Sequence, residues 1–126
     1  MEVREEDKVK NISKLFAIRT IRLYKYLVEE KHEYILSKQV LRSGTSIGAN
    51  VRESTNAQST LDFINKLNVA LKEANETEYW LELLFETNYI TEEHFRSIYN
   101  DCGKIAATLT KIILTTKKNM EKRSQQ

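Results

Sequence analysis

The side chains in this sequence that could do chemistry are few and far apart. A di-metal centre in a helical bundle takes a Glu from each of two helices and two inward-facing Glu-x-x-His pairs. The sequence offers one such pair, Glu29-x-x-His32, at what reads as a helix end. His94 falls in the first turn of the last helix, and the single cysteine, Cys102, sits on an apolar stripe where a thiol behaves as a small hydrophobe. Ser43 and Ser46 have no histidine near them in sequence to act as a base, and no glycine-rich loop follows a strand to hold phosphate. These patterns predict no catalytic residue, no metal ligand, no cofactor and no small-molecule substrate; the expectation is a protein that is not an enzyme.

The charges say more. Twenty Lys and Arg against 18 Asp and Glu leave a formal net charge of +2, yet the distribution is uneven. Residues 73–93 hold Glu73, Glu76, Glu78, Glu82, Glu86, Glu92 and Glu93 with no Lys or Arg, while Lys117, Lys118, Lys122 and Arg123 crowd the last positions against one Glu. Lysines suit helix C-termini and glutamates suit N-termini, so the helix dipole accounts for Lys117, Lys118, Glu92 and Glu93. It does not account for Lys8, Lys10 or Lys14, which precede the middle of the first helix.

The elements that position these residues follow from periodicity. With no proline, three glycines and 30% charged residues, the composition favours helix throughout. Four amphipathic segments are expected, over about residues 8–30, 37–54, 60–88 and 92–120, with residues 121–126 as a disordered tail. The first carries Ile12, Leu15, Phe16, Leu23, Tyr26 and Leu27 on one stripe; the second opens at Ser37 as N-cap. Ser59-Thr60-Leu61-Asp62 reads as a capping box for the third, and Thr91 precedes the fourth, whose stripe runs from Phe95 to Met120. Short connections predict one domain over 1–126, an antiparallel up-down-up-down four-helix bundle of the all-α class. That threading brings Lys8, Lys10 and Lys14 beside Lys117, Lys118, Lys122 and Arg123, making one end basic and the other acidic. Arg19 and Glu78 each interrupt an apolar stripe at similar depth, and they are expected to form a buried ion pair.

Gly44 and Gly48 lie one turn apart inside the second helix. A helical glycine costs about 1 kcal/mol relative to alanine, so the pair points to close approach of another backbone, either within the bundle or between subunits. The third helix bears a second apolar strip, Val69, Trp80 and Leu83 with Tyr79 close by, which suggests a partner, and self-association is the economical one. Asn50, Glu53, Glu73 and Glu76 would supply polar contacts near such a seam. The charged opening MEVREEDKVK has no apolar core, so no signal peptide is expected, and no run approaches the ~18 apolar residues of a membrane span. A lone cysteine suits a reducing, cytoplasmic setting.

"LRSGTSIGANVRES" followed by "DFINKLNVALKEANETEYWLELL" resembles the four-helix-bundle family encoded in intervening sequences of bacterial 23S ribosomal RNA genes, a relative of the accessory variability determinant of diversity-generating retroelements. The resemblance spans about residues 12–118 and is carried by Ser46-Ile47-Gly48-Ala49-Asn50 with Glu53, and by Ala70 through Leu84 with Glu76, Glu78 and Tyr79-Trp80-Leu81. It implies an antiparallel bundle assembled as a ring, typically a homopentamer. It also implies, for some members, binding of nucleic acid or a reverse transcriptase through a basic surface. Two functions follow as expectations. One is a non-enzymatic oligomeric accessory protein that binds RNA, DNA or a nucleic-acid enzyme through a basic collar; the other is a structural or protein-interaction module whose charges serve solubility.

Overall fold

The structure, a computed structural model, describes residues 4–125. Those residues form four helices and no strand: α1 (Glu5–Glu29), α2 (Leu36–Ser54), α3 (Thr60–Glu86) and α4 (Glu92–Ser124). The starts of α3 and α4 follow their sequence caps. Ser59 Oγ accepts the Asp62 N–H at 3.0 Å, and Thr91 Oγ1 accepts the His94 N–H at 3.2 Å, each satisfying a donor that the first helical turn leaves orphaned. Asn88 ends α3 in the left-handed region, φ 68°, so that its N–H returns to Phe85 and the Tyr89 N–H to Leu84, a Schellman closure built on Asn instead of Gly.

The start of α2 differs from the sequence expectation. Ser37 does not cap it; Ser37 lies buried inside the first turn with its Oγ unpartnered. His32 turns the chain through φ 54° and drops the Glu33 carboxylate under the helix, where it accepts from the backbone N–H groups of Ile35 (2.7 Å), Leu36 (2.8 Å) and Ser37 (3.1 Å). Glu33 is only 6% exposed. A carboxylate facing three amides at a helix N-terminus gains from charge-assisted hydrogen bonds and from the dipole together. Glu33→Ala is therefore expected to cost about 2 kcal/mol, and Glu33→Gln, which keeps one acceptor oxygen, about half of that. Urea denaturation of the two variants checks both the size and the order.

Two further corrections concern helix extent and facing. α4 continues through Ser124, so residues 121–124 are helical and not a disordered tail; position 126 lies outside the described residues. On α1 the buried positions are Val9, Ser13, Phe16, Thr20, Leu23 and Leu27, whereas Leu15 and Tyr26 are exposed. The stripe read from sequence is wider than the face the core covers.

One core joins the helices, with Leu27, Ile47, Leu67, Leu81, Leu84, Ile98, Ile105 and Leu109 fully enclosed. Each such side chain contributes about 1.5–3 kcal/mol relative to exposure. Each helix packs on the next in sequence and α1 also packs on α4; α1 and α3 sit across the diagonal, with no Cα of one within 8 Å of a Cα of the other among the described residues. At the seams, residues that advance along one helix meet residues that recede along the other: Ser13 and Thr20 face Gly48 and Gly44, Ser43 and Glu53 bond Thr77 and Lys66, Ala74 and Glu82 accept from Cys102 and Tyr99, and Arg19 and Tyr26 face Asp101 and His94. Phe85, Phe95 and Tyr99 stack at 4.6 and 4.8 Å where α3 gives way to α4.

Candidate nucleic-acid and subunit interfaces

The first turns of α1 and the last turns of α4 share one end of the molecule, tied by Lys111 Nζ to Glu5 at 3.1 Å. Lys8, Lys10, Lys14, Lys117, Lys118, Lys122 and Arg123 are all exposed there. Because α4 stays helical to Ser124, the last four of these are carried on helical backbone. Of the seven, only Lys10 has a carboxylate within ion-pair distance among the described residues, Asp7 at 3.9 Å. Acids are nonetheless present at this end: Glu5, Glu6 and Asp7 occupy the first turn of α1, with Glu6 paired to Arg4.

Two clefts open at that end. One, about 550 Å³, is floored by Val9, Phe63, Leu67 and Ile112 and carries Arg4, Lys10 and Arg123 together with Glu6 and Asp7. The other, about 540 Å³ between α1 and α2, has Lys10, Lys14 and Arg52 on its walls with Thr45 and Thr55, and no carboxylate. Arg52 was missed by the sequence reasoning. The signal was its place in the last turn of α2, which the threading brings beside the start of α1.

Gly44 and Gly48 act within the chain. A methyl added at Gly44 would lie 2.5 Å from Thr20 Cγ2, and one at Gly48 would lie 3.3 Å from the Ser13 carbonyl oxygen, so both glycines serve the α1–α2 seam. The polar residues near them also have partners in the chain. Asn50 Nδ2 donates to the Ser46 carbonyl, Glu53 meets Lys66 at 3.4 Å, and Arg42 spans Glu73 and Glu76, with Trp80 Nε1 donating to Glu76 at 3.2 Å. What stays open on α3 is Val69, 43% exposed, and Tyr79, 55% exposed, beside half-buried Trp80 and Leu83.

Arg19 does not reach Glu78. Its guanidinium bonds Asp101 at 2.7 Å and Ser97 at 2.9 Å, both on α4, because α1 and α3 sit across the diagonal and a pair between them would have to pass through the core. Glu78 instead lies near Tyr99 and Cys102; burial raises both of these to about 12, helped at Tyr99 by Glu82, which accepts from its hydroxyl at 3.1 Å, and by Glu78, and at Cys102 by Glu78 and Asp101. A thiol held that far above neutrality is not a nucleophile at physiological pH. Burial also pushes the His94 imidazole below its ordinary value, with Arg19 adding to the effect. Since the Arg19–Asp101 pair is partly solvated, Arg19→Met is expected to cost less than about 1 kcal/mol, not the several kcal/mol of a buried pair. Chemical denaturation distinguishes the two values.

Among the described residues no three His, Cys, Asp or Glu side chains converge as a metal site would require, and no helix is long and apolar enough to cross a membrane. A search of curated proteins finds no match. The crystal structure of a protein of unknown function from the S23 ribosomal protein family of Bacteroides thetaiotaomicron is 60% identical, superposes with a TM-score of 0.87, and covers 87% of this chain and 98% of its own. Residues 5–111 match the family described as 23S rRNA-intervening sequence protein. With most of its length inside that match, this four-helix chain belongs to the 23S rRNA-intervening sequence protein family.

Proposed function

We propose that this chain is a non-enzymatic accessory protein of the cytoplasm that assembles with copies of itself and binds the phosphates of RNA or DNA through its basic end. The observation that carries this reading is the α1–α2 cleft, where Lys10, Lys14 and Arg52 converge with hydroxyl groups and no carboxylate. Phosphate contacts need cations held in place and open to solvent, and they carry little sequence information. The opposed order of residue pairs at each helix seam supports an up-down-up-down antiparallel bundle. The exposed α3 ridge supports self-association, and the family resemblance favours five copies in a ring. Repetition around a ring would turn a modest local charge into a continuous collar.

A structural-module reading draws on the acids of the first α1 turn and on the match of Lys122 and Arg123 to the α4 dipole. A mobility-shift assay at about 50 mM salt, where phosphate contacts are strongest, separates the two. The nucleic-acid reading expects wild-type protein to retard RNA and DNA of unrelated sequence. No retardation of either overturns it in favour of the module.

A further inference from the structure

We infer that the groove between α1 and α4 is the seat for the outer ridge of α3 from a second copy of this chain; the inference rests on the self-assembly proposed above. The groove measures about 910 Å³ and its floor is apolar, with Ile12, Leu15, Phe16 and Leu23. Leu15 is 57% exposed within it and continues the apolar floor outward. Lys8, Arg22 and Lys104 stand on its rim, and none has an ion-pair partner among the described residues; the one acid, Asp101, is already taken by Arg19.

The complement of that surface exists on the same chain. The ridge of α3 presents Val69, Tyr79 and Leu83, interleaved with exposed Lys72 and with Glu76, which Arg42 holds, and it ends in Glu86, an exposed carboxylate with no ion-pair partner among the described residues. Heights agree as well. Tyr26 lies against His94, and Phe95 stacks on Phe85, so Glu86 stands level with the Arg22–Tyr26 turn of α1. Two grooves facing each other would oppose like charges, which disfavours a symmetric α1–α4 contact. Groove and ridge do not overlap, so each copy can offer one and receive the other, the head-to-tail arrangement that closes rings.

The test uses two variants and their mixture. Arg22→Glu with Lys104→Glu reverses the groove rim, and Tyr79→Lys with Glu86→Lys reverses the ridge; all four positions are exposed. Circular dichroism verifies that each variant keeps its helices. If either loses them, Leu15→Lys and Val69→Lys, also exposed, replace that pair. Light scattering is expected to give the single-chain mass of 14.8 kDa for each variant alone and a mass of at least two chains for the mixture, since one intact groove then meets one intact ridge and the two reversed surfaces are again opposite in charge. A wild-type monomer overturns the self-assembly reading itself. An oligomeric wild type with variants that still assemble, or a mixture that stays monomeric, overturns the groove-to-ridge pairing and leaves self-assembly standing.

Discussion

Replacing Lys117, Lys118, Lys122 and Arg123 together by Gln is expected to weaken binding of RNA or DNA by at least about 100-fold at low salt, with the oligomer unchanged. The size of the effect follows from counterion release, in which each phosphate neutralised displaces condensed cations, so four lost contacts also flatten the salt dependence by about 3–4 in slope. The oligomer should survive because the four side chains are exposed on the last turns of α4, away from both the groove and the α3 ridge. Replacing Arg22 and Lys104 instead should alter assembly first, which keeps the two surfaces experimentally separate. Filter binding beside light scattering on the same preparations reads both quantities.

Gly44→Ala should be the most damaging of the three glycine-to-alanine changes, costing up to about 2 kcal/mol. The new Cβ would stand 2.5 Å from Thr20 Cγ2 and 3.0 Å from Thr20 Cβ. Thr20 is fully buried, β-branched and bonded through Oγ1 to the Ala17 carbonyl, so it cannot swing aside without giving up that bond. Overpacking of this kind costs about 1–3 kcal/mol, against which alanine recovers about 1 kcal/mol of helix propensity. Moving the glycine across the seam, as Thr20→Gly with Gly44→Ala, should leave the protein more stable than the two single costs would sum to. Gly103 supplies the contrast. Nothing lies within 4 Å of a methyl there, and Gly103→Ala is expected to stabilise by about 0.5–1 kcal/mol. Thermal unfolding of the four variants tests the opposite signs together.

The sequence made some of this legible for reasons that are local. Ser59 and Thr91 act through the next three residues, and the α4 stripe needs only its own period, so both were readable. The cap of α2 was not, because Glu33 reaches it across a turn set by the left-handed backbone at His32, which no periodicity reports. The end of α4 was placed early because the apolar stripe stops near Met120, whereas the Lys- and Glu-rich turns beyond it hold helix by propensity alone. Gly44 and Gly48 announced a close approach, but which backbone approaches is a tertiary fact. Arg19 was placed at the right depth and given the wrong partner, since depth along a helix is countable and the diagonal of a bundle is not. Arg52 joined the basic cleft only once α1 and α2 were laid side by side.

The central claim is that a repeated basic end holds nucleic-acid phosphates. Its most direct measurement is the affinity of wild-type protein for duplex across a salt series. If five or more phosphates are engaged, log K should fall against log salt with a slope of about −4.5 or steeper, a loss of roughly 500-fold between about 50 and 200 mM. A flat dependence, or no binding at the low end of the series, would contradict the account.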